Sequence, residues 1–516
     1  MTSNFLSTMQ INIIEYFEKT AIANADKIAV IEGDLTITFD DLRYKSKLLA
    51  SELITLNFIN KPIAVFLPKT IDSIIADIAI TYSGNAYMNL DIKTPATRIG
   101  NILDLIKPEV VITNADLSAF LLDIDAQLPL IIIDKFDFTQ PLTTDFIDMR
   151  LATIIDLDPL CIINTSGSTG TPKGVVLNHK SFIDFTEWAI ETLKIGNNEI
   201  VGSLSPSVFD IYSFELCMLM AKGSTIVLLP DSLAAFPAKI LEIMKQKKIT
   251  FIFWVPTIMV NIANMNLFNS LNLTDLKTVW FAGEVFPTKQ FNYWKKHLPL
   301  VKFVNLYGPI EITLDCTYFI VERELKDNEP IPIGFPCCNT DVLILNDKNE
   351  ISGINEEGEL CVRGTSLAMG YYNNPEKTAA AFVQNPLNPS YPEIIYRTGD
   401  IVYKNEMNEI IFRGRKDSLV KHLGYRIELC EIEHVIINTL KLVANGCVVY
   451  NFNKKEITLF YETKNDLSIA KLKKSISEVF PKYMIPTVFN KMEELPRNIN
   501  GKIDRLNLNN KVNAIL

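Results

Sequence analysis

The sequence predicts an α/β fold: a large N-terminal body of parallel and mixed sheets with flanking helices, followed by a small, mobile α+β C-terminal domain. Three observations predict it. Short apolar runs alternate with amphipathic stretches along most of the chain. The composition changes near Gly414-Arg415-Lys416-Asp417. At 516 residues the chain is also too long for a single core.

In chain order, residues 1–20 have no basic region ahead of an apolar core and no small-residue cleavage site, so they read as the first helix of a cytoplasmic protein. Strand-like runs follow at 63–67, 110–113, 129–133, 160–163, 225–229, 250–254, 278–281 and 301–305. Between two of them, residues 238–247 place Ile240, Leu241, Ile243 and Met244 at helical spacing. Strand, helix, strand repeated in this way predicts a parallel sheet with helices on both faces. Beyond Asp417 come a helix at 429–440, strands at 447–450 and 457–461, and a helix at 469–480. The predicted domains are therefore 1–416 and 417–516.

Bulk properties exclude several classes. Hydrophobic content of 48% with 21% charged residues is ordinary globular composition. No apolar run reaches membrane-spanning length, so no membrane partner is expected. The eight cysteines form no C-x-x-C pair, and only four histidines are present, which points away from zinc and disulfide frameworks. A net charge of −10 argues against nucleic acid as a partner. The charge is uneven: residues 418–516 hold 15 Lys+Arg against 10 Asp+Glu, a net of +5, leaving −15 for residues 1–417. A cationic C-terminal module reads either as a lysine-coated small domain or as one facing phosphates or an acidic partner.

Straight after the run 160–163 lies Thr165-Ser166-Gly167-Ser168-Thr169-Gly170-Thr171-Pro172-Lys173-Gly174. Small residues let backbone N–H groups close on an anion, and Ser166, Ser168 and Thr169 add hydroxyl donors. Lys173 adds a point charge. This is phosphate-binding chemistry, although the spacing is not that of a P-loop, because Pro172 precedes the lysine and no Ser or Thr follows it. Alone, the stretch reads equally well as a linker.

The rest of the chain decides between them. In order it carries Ser83-Gly84-Asn85-Ala86-Tyr87, the loop at 165–174, Phe209-Asp210, and Asn305-Leu306-Tyr307-Gly308-Pro309-Ile310-Glu311. Then follow Gly358-Glu359-Leu360, Tyr396-Arg397-Thr398-Gly399-Asp400, Gly414-Arg415-Lys416-Asp417, Gly424-Tyr425-Arg426-Ile427-Glu428-Leu429 and Asn500-Gly501-Lys502-Ile503-Asp504-Arg505. Over essentially its whole length the chain resembles the adenylate-forming (ANL) superfamily, which includes nonribosomal-peptide adenylation domains and acyl-CoA ligases.

The resemblance implies attack of a carboxylate on the α-phosphate of ATP, giving an acyl-adenylate and pyrophosphate, with ATP and Mg²⁺ as cofactors. By this resemblance Thr165, Ser166, Gly167, Ser168, Thr169, Gly170 and Lys173 hold phosphates. Gly283, Glu284, Asn305, Tyr307, Gly308, Asp400 and Arg415 complete the ATP site, with Tyr307 stacked on adenine, Asn305 on its edge, and Asp400 on the ribose hydroxyls. Glu311 is the implied Mg²⁺ ligand, a hard oxygen donor. Lys502 is the implied bridge between carboxylate and α-phosphate. Asp417 corresponds to a hinge that withdraws Lys502 and brings the Gly424 loop in for thiolation, where a phosphopantetheine thiol attacks the adenylate. Ile310 stands where these enzymes usually carry Thr, which removes a phosphate-facing hydroxyl and suggests weaker ATP handling.

Asp210 indicates which acid is activated. Amino-acid-activating members use an aspartate here to pair with the α-ammonium. A buried carboxylate without a cation is costly, whereas a helix-capping role would need no ligand. The implied pocket comprises Asp210, Ile211, Phe214, Phe253, Trp280, Ala282, Leu306, Leu314, Asp315 and Lys502. Its aromatic residues consume volume and favour a small or compact neutral amino acid, with proline first and alanine, D-alanine or serine next. Asp315 fits that reading poorly, since it suits a hydroxyl or a basic side chain. The chain stops soon after Lys502, which suggests a free-standing ligase loading a separate, acidic carrier protein. Competing expectations are an acyl-CoA ligase for a non-amino acid, which Asp210 argues against, and a non-catalytic nucleotide- or carrier-binding scaffold.

Overall fold

The computed structural model describes residues 11–166, 172–269, 271–416, 419–443, 445–463, 468–497 and 503–513. All eight apolar runs form strands, but they divide between two sheets. The first four enter a seven-stranded sheet through Pro62–Phe66, Val111–Thr113, Leu130–Ile132 and Pro159–Thr165. The other four enter a nine-stranded sheet through Thr225–Leu228, Phe251–Trp254, Thr278–Phe281 and Lys302–Tyr307. Central pairings in both are parallel, as between Phe251–Trp254, Thr278–Phe281 and Lys302–Tyr307; antiparallel strands close both ends of the larger sheet and one end of the smaller, whose other edge, Leu130–Ile132, is parallel.

Helices lie on both faces because the strands send alternate residues to different cores. Phe251 and Phe253 join a core with Phe214 on the helix Asp210–Lys222 and with Ile63 and Val65 of the other sheet. Ile252 and Trp254 point the other way, onto the helices Pro237–Gln246, Pro256–Asn264 and Thr288–His297. No helix among the described residues is long and apolar enough to cross a membrane.

A third sheet, antiparallel, was absent from the strand-like runs of the sequence. It pairs Thr340–Leu345, Gly358–Gly364, Ile394–Lys404, Phe382–Gln384 and Ile410–Arg415. Gly358–Gly364 and Ile394–Lys404 interleave charged and apolar residues, which breaks their apolar runs, whereas residues 342–345 form an apolar run that was not singled out. The C-terminal region has its own core around Ile432, Ile436, Val448, Leu459, Leu472 and Ile476. The helix expected at 429–440 is shorter: Leu429–His434 is α-helical and passes into a π-helical turn at Val435–Thr439.

Strands Leu419–His422 and Tyr425–Glu428 form a hairpin whose two-residue turn has both residues left-handed, Leu423 at φ 54° and Gly424 at φ 84°. That is the type I′ geometry that matches strand twist. The hairpin does not pack only on its own domain; it reaches the strand ends of the body.

Candidate active site

The site lies at the C-terminal ends of the parallel strands of the larger sheet, where α/β sheets expose loop and strand-end side chains together. Strand register builds one wall. Phe253 pairs with Trp280, and Trp280 with Val304. Two residues further along, Ala282 and Leu306 face the same core as these side chains. Phe214, one helical turn after Asp210, completes it: its ring stacks on Trp280 at 5.3 Å and meets Phe253 edge-on at 6.1 Å. Phe214, Phe253 and Trp280 are fully buried, so the wall is closed behind.

Asp210 opens the helix Asp210–Lys222 and accepts the Ile211 N–H at 3.0 Å. Burial pushes its carboxyl up to about 6, opposed by the charge of Lys421 and by backbone hydrogen bonds. Ile211 is buried beside it. Leu314 and Asp315 arrive from a tight turn that follows Ile310–Ile312, in which Thr313 (φ 51°) and Leu314 (φ 63°) are both left-handed. This geometry needs Gly308, because a Cβ there would lie 2.3 Å from the Leu314 carbonyl oxygen and 2.5 Å from the Asp315 Cα. Asp315 is 3% exposed and has no hydrogen bond or ion pair to its carboxylate among the described residues. Burial first, then the charge of Asp210, push its carboxyl well up.

On the opposite side, Tyr307 donates its hydroxyl to Asp400, which also takes Arg415 at 2.5 Å. Burial, then Asp400, raise the Tyr307 phenol well above its ordinary value. Asn305 donates Nδ2–H to the Pro332 carbonyl at 2.7 Å, which fixes the amide.

The remaining expected phosphate-side residues face the C-terminal hairpin. The Ser166 hydroxyl donates to the Arg426 carbonyl (2.7 Å) and accepts the Glu428 N–H (3.0 Å). Lys173 pairs with Glu428 at 3.1 Å, and Thr165 ends the adjoining strand. Glu311, fully buried, binds Arg426 and accepts the Tyr371 hydroxyl at 2.8 Å. Burial alone would raise its carboxyl, but Arg426 overrides this and holds it at about 2. Glu284, expected on ATP, instead accepts the Gly424 N–H at 2.8 Å and the Thr257 N–H at 3.0 Å, because the left-handed Gly283 turns it toward the hairpin. Gly167, Ser168, Thr169, Gly170, Asp417 and Lys502 lie outside the described residues.

Sequence reasoning missed several participants. Tyr371 gave no signal, and Lys421 reads as one more surface lysine. Arg426 sat inside a quoted motif without a role, and the pairing of Arg98 with Glu431 at 2.5 Å, which also ties the C-terminal region to the body, spans 333 positions. Among the described residues no group of three or more His, Cys, Asp or Glu could hold a metal by itself.

The family described as AMP-binding enzyme matches residues 17–372. The chain belongs to that family. Among this AMP-binding enzyme's relatives are delta-poly-L-ornithine synthetase of Acinetobacter baumannii, 31% identical, and tyrocidine synthase 1 of Brevibacillus parabrevis, 28% identical. Each alignment covers 96% of this chain but only 36% and 44% of those proteins. The solved structure of Vibrio cholerae AlmE in complex with glycyl-adenosine-5′-phosphate superposes with a TM-score of 0.84 at 20% identity, covering 97% of this chain and 98% of that one. An artificially fused adenylation–PCP di-domain, NpsA-ThdA from Klebsiella oxytoca, gives 0.81 at 20% identity, covering 94% of both. These likenesses agree with the observed fold, a large sheet-rich body with a smaller C-terminal domain.

Gly308→Ala tests the local architecture of this AMP-binding enzyme. The added methyl has backbone on two sides, so we expect a destabilisation of about 1–3 kcal/mol, read as a lower urea midpoint with an unchanged slope.

Proposed function

We propose that this protein uses ATP to activate a compact amino acid as its aminoacyl-adenylate, then passes it to the phosphopantetheine thiol of a carrier protein. Asp210 carries the reading. Its carboxylate stands at the edge of an apolar wall with no ion pair among the described residues, and an α-ammonium supplies the missing charge. The name of one relative, delta-poly-L-ornithine synthetase, supports an amino acid as the acid activated.

In this reading the Asn305 amide, its N–H committed to Pro332, offers Oδ1 to the adenine amine, while Tyr307 borders the base. Asp400, steadied by Arg415, takes the ribose hydroxyls. Thr165, Ser166 and Lys173 serve the phosphates with residues 167–170. Phosphates and hairpin compete for Ser166 and Lys173, so the hairpin must withdraw for adenylation and return for transfer. Rotation at Asp417 accomplishes this, with Lys502 engaged in the first arrangement and Gly424 in the second. Glu311 fits a hard cation once Arg426 leaves: its buried carboxylate then needs another positive charge, and one carboxylate plus phosphate oxygens is an ordinary Mg²⁺ environment. Mg²⁺ bound there would neutralise phosphate charge. The excess of Lys and Arg beyond residue 417 suits an acidic carrier protein.

The closed aromatic wall limits the side chain to a compact one. Proline matches the wall and Asp210, and alanine or D-alanine would also fit, but all three leave Asp315 without a partner. Serine offers it a hydroxyl. An acyl-CoA ligase for a non-amino acid would have no use for Asp210, and a scaffold would have none for the Asp400–Arg415 and Glu311 groups together.

Amino-acid-dependent exchange of labelled pyrophosphate into ATP tests the reading directly. Exchange with one or a few amino acids is expected; silence across the proteinogenic set, D-alanine and the common diamino acids, with ATP binding intact, would overturn it. The pH profile adds a check on Asp210. Its raised value means the carboxylate is ionised only above about 6. KM for the amino acid should therefore fall as pH rises toward 6 and level off above it, changing about tenfold per unit on the acid side. Asp210→Asn should flatten that limb. Lys502→Ala should lower exchange about 100-fold or more while leaving ATP binding, followed by calorimetry, intact.

A further inference from the structure

Asp210 and Asp315 form a pair of carboxylates that one α-ammonium cannot balance. Asp315 is nine-tenths buried and more, its carboxylate has no hydrogen-bond partner among the described residues, and Asp210 is near enough to repel it. Its position is built rather than incidental. Two consecutive left-handed, non-glycine residues lead into it, Gly308 leaves room for its backbone, and the Cys337 thiol holds its carbonyl at 3.7 Å. Its chain neighbour Leu314 joins the apolar core of Phe214, Trp280 and Leu306, a side of the site that carries no cation. The opposing charge it faces is Lys421, an alkylammonium carried by the hairpin and therefore absent from the pocket whenever the hairpin withdraws. The two carboxylates thus already face one primary amine on an alkyl stem in the docked arrangement.

We propose that Asp315 holds a second ammonium, at the end of the substrate's side chain, so that the acid activated is a short diamino acid such as 2,3-diaminopropionate, 2,4-diaminobutyrate or ornithine. This rests on the amino-acid adenylation proposed above. A diamino acid brings two ammonium groups to two carboxylates and leaves the pocket neutral. A monoamino acid leaves one buried charge unmatched, or requires a proton on Asp315. The chain connecting the two ammonium groups must be short, because Phe214, Phe253 and Trp280 pack on one another and close the deep end.

Pyrophosphate exchange with the full-length protein tests this through pairs of acids that differ only by the terminal ammonium: diaminopropionate against alanine, diaminobutyrate against 2-aminobutyrate, and ornithine against norvaline. We expect one diamino acid to exceed its neutral twin on the order of 100-fold or more in kcat/KM, the usual consequence of leaving a buried charge unpaired. Asp315→Asn should remove most of that preference, lowering kcat/KM for the diamino acid far more than for its neutral twin. Exchange with proline, alanine or serine in preference to every diamino acid would overturn the proposal and leave amino-acid adenylation standing. An unchanged preference in Asp315→Asn would also overturn it, assigning Asp315 a protonated structural role. Silence with all amino acids would defeat the underlying reading instead. The paired acids need only the wild-type protein, so the test stands even if the variant fails to fold.

Discussion

The buried ion pair between Glu311 and Arg426 is the constraint on which the arrangement of the molecule depends. Glu311 has no exposed surface, and its carboxylate stays charged because Arg426 holds it at about 2. A charge in that position cannot be left alone; removing the partner of a buried ion typically costs about 3–5 kcal/mol. The stabilisation is present above the ordinary carboxylate range and is lost only as pH falls toward 2, so it operates throughout the physiological window. Glu311 belongs to the body and Arg426 to the hairpin, which makes the hairpin's position a question of which cation serves Glu311. In the proposed cycle, a ligand that brings another cation there shifts the balance toward a withdrawn hairpin. The rest of the docked contact then follows Arg426, including Ser166 on its carbonyl, Lys173 on Glu428 and Glu284 on Gly424.

How much of this was legible in the sequence depends on the range of each interaction. The eight apolar strands were readable because all but the half-buried edge strand Leu130–Ile132 are buried on both faces, and each forms a continuous run. The candidate pocket wall was named by resemblance, and the structure explains its spacing: Phe253, Trp280, Ala282 and Leu306 share one face of neighbouring strands through the period of two. The division into two sheets was not readable, since apolar runs of either sheet look alike. The third sheet was hidden for the opposite reason, its strands Gly358–Gly364 and Ile394–Lys404 mixing Glu359, Arg397 and Asp400 with apolar residues. Within the candidate site, Asp210, Asn305, Tyr307 and Asp400 were named from local motifs. Tyr371, Lys421 and the partners of Glu284 were not, because their roles exist only through contacts across distant parts of the chain.

The turn from Gly308 to Asp315 shows why the two halves of the site are inseparable. Glu311 and Asp315 lie four residues apart and serve opposite sides, one facing Arg426, Tyr371 and Lys173, the other facing Asp210 and Lys421. A regular helix would put both carboxylates on one face, one above the other. The chain instead makes a single short helical turn at Ile310–Ile312 and then two left-handed residues, which re-aim the backbone before Asp315. Such conformations cost about 1–3 kcal/mol each. They are held by the Cys316 N–H on the Tyr307 carbonyl at 2.8 Å and by the close packing that Gly308 permits. The bent backbone of this turn therefore separates two buried carboxyl groups that a regular helix would bring to one face. Through Tyr307 and Gly308 it also ties both carboxyl groups to the end of the strand Lys302–Tyr307.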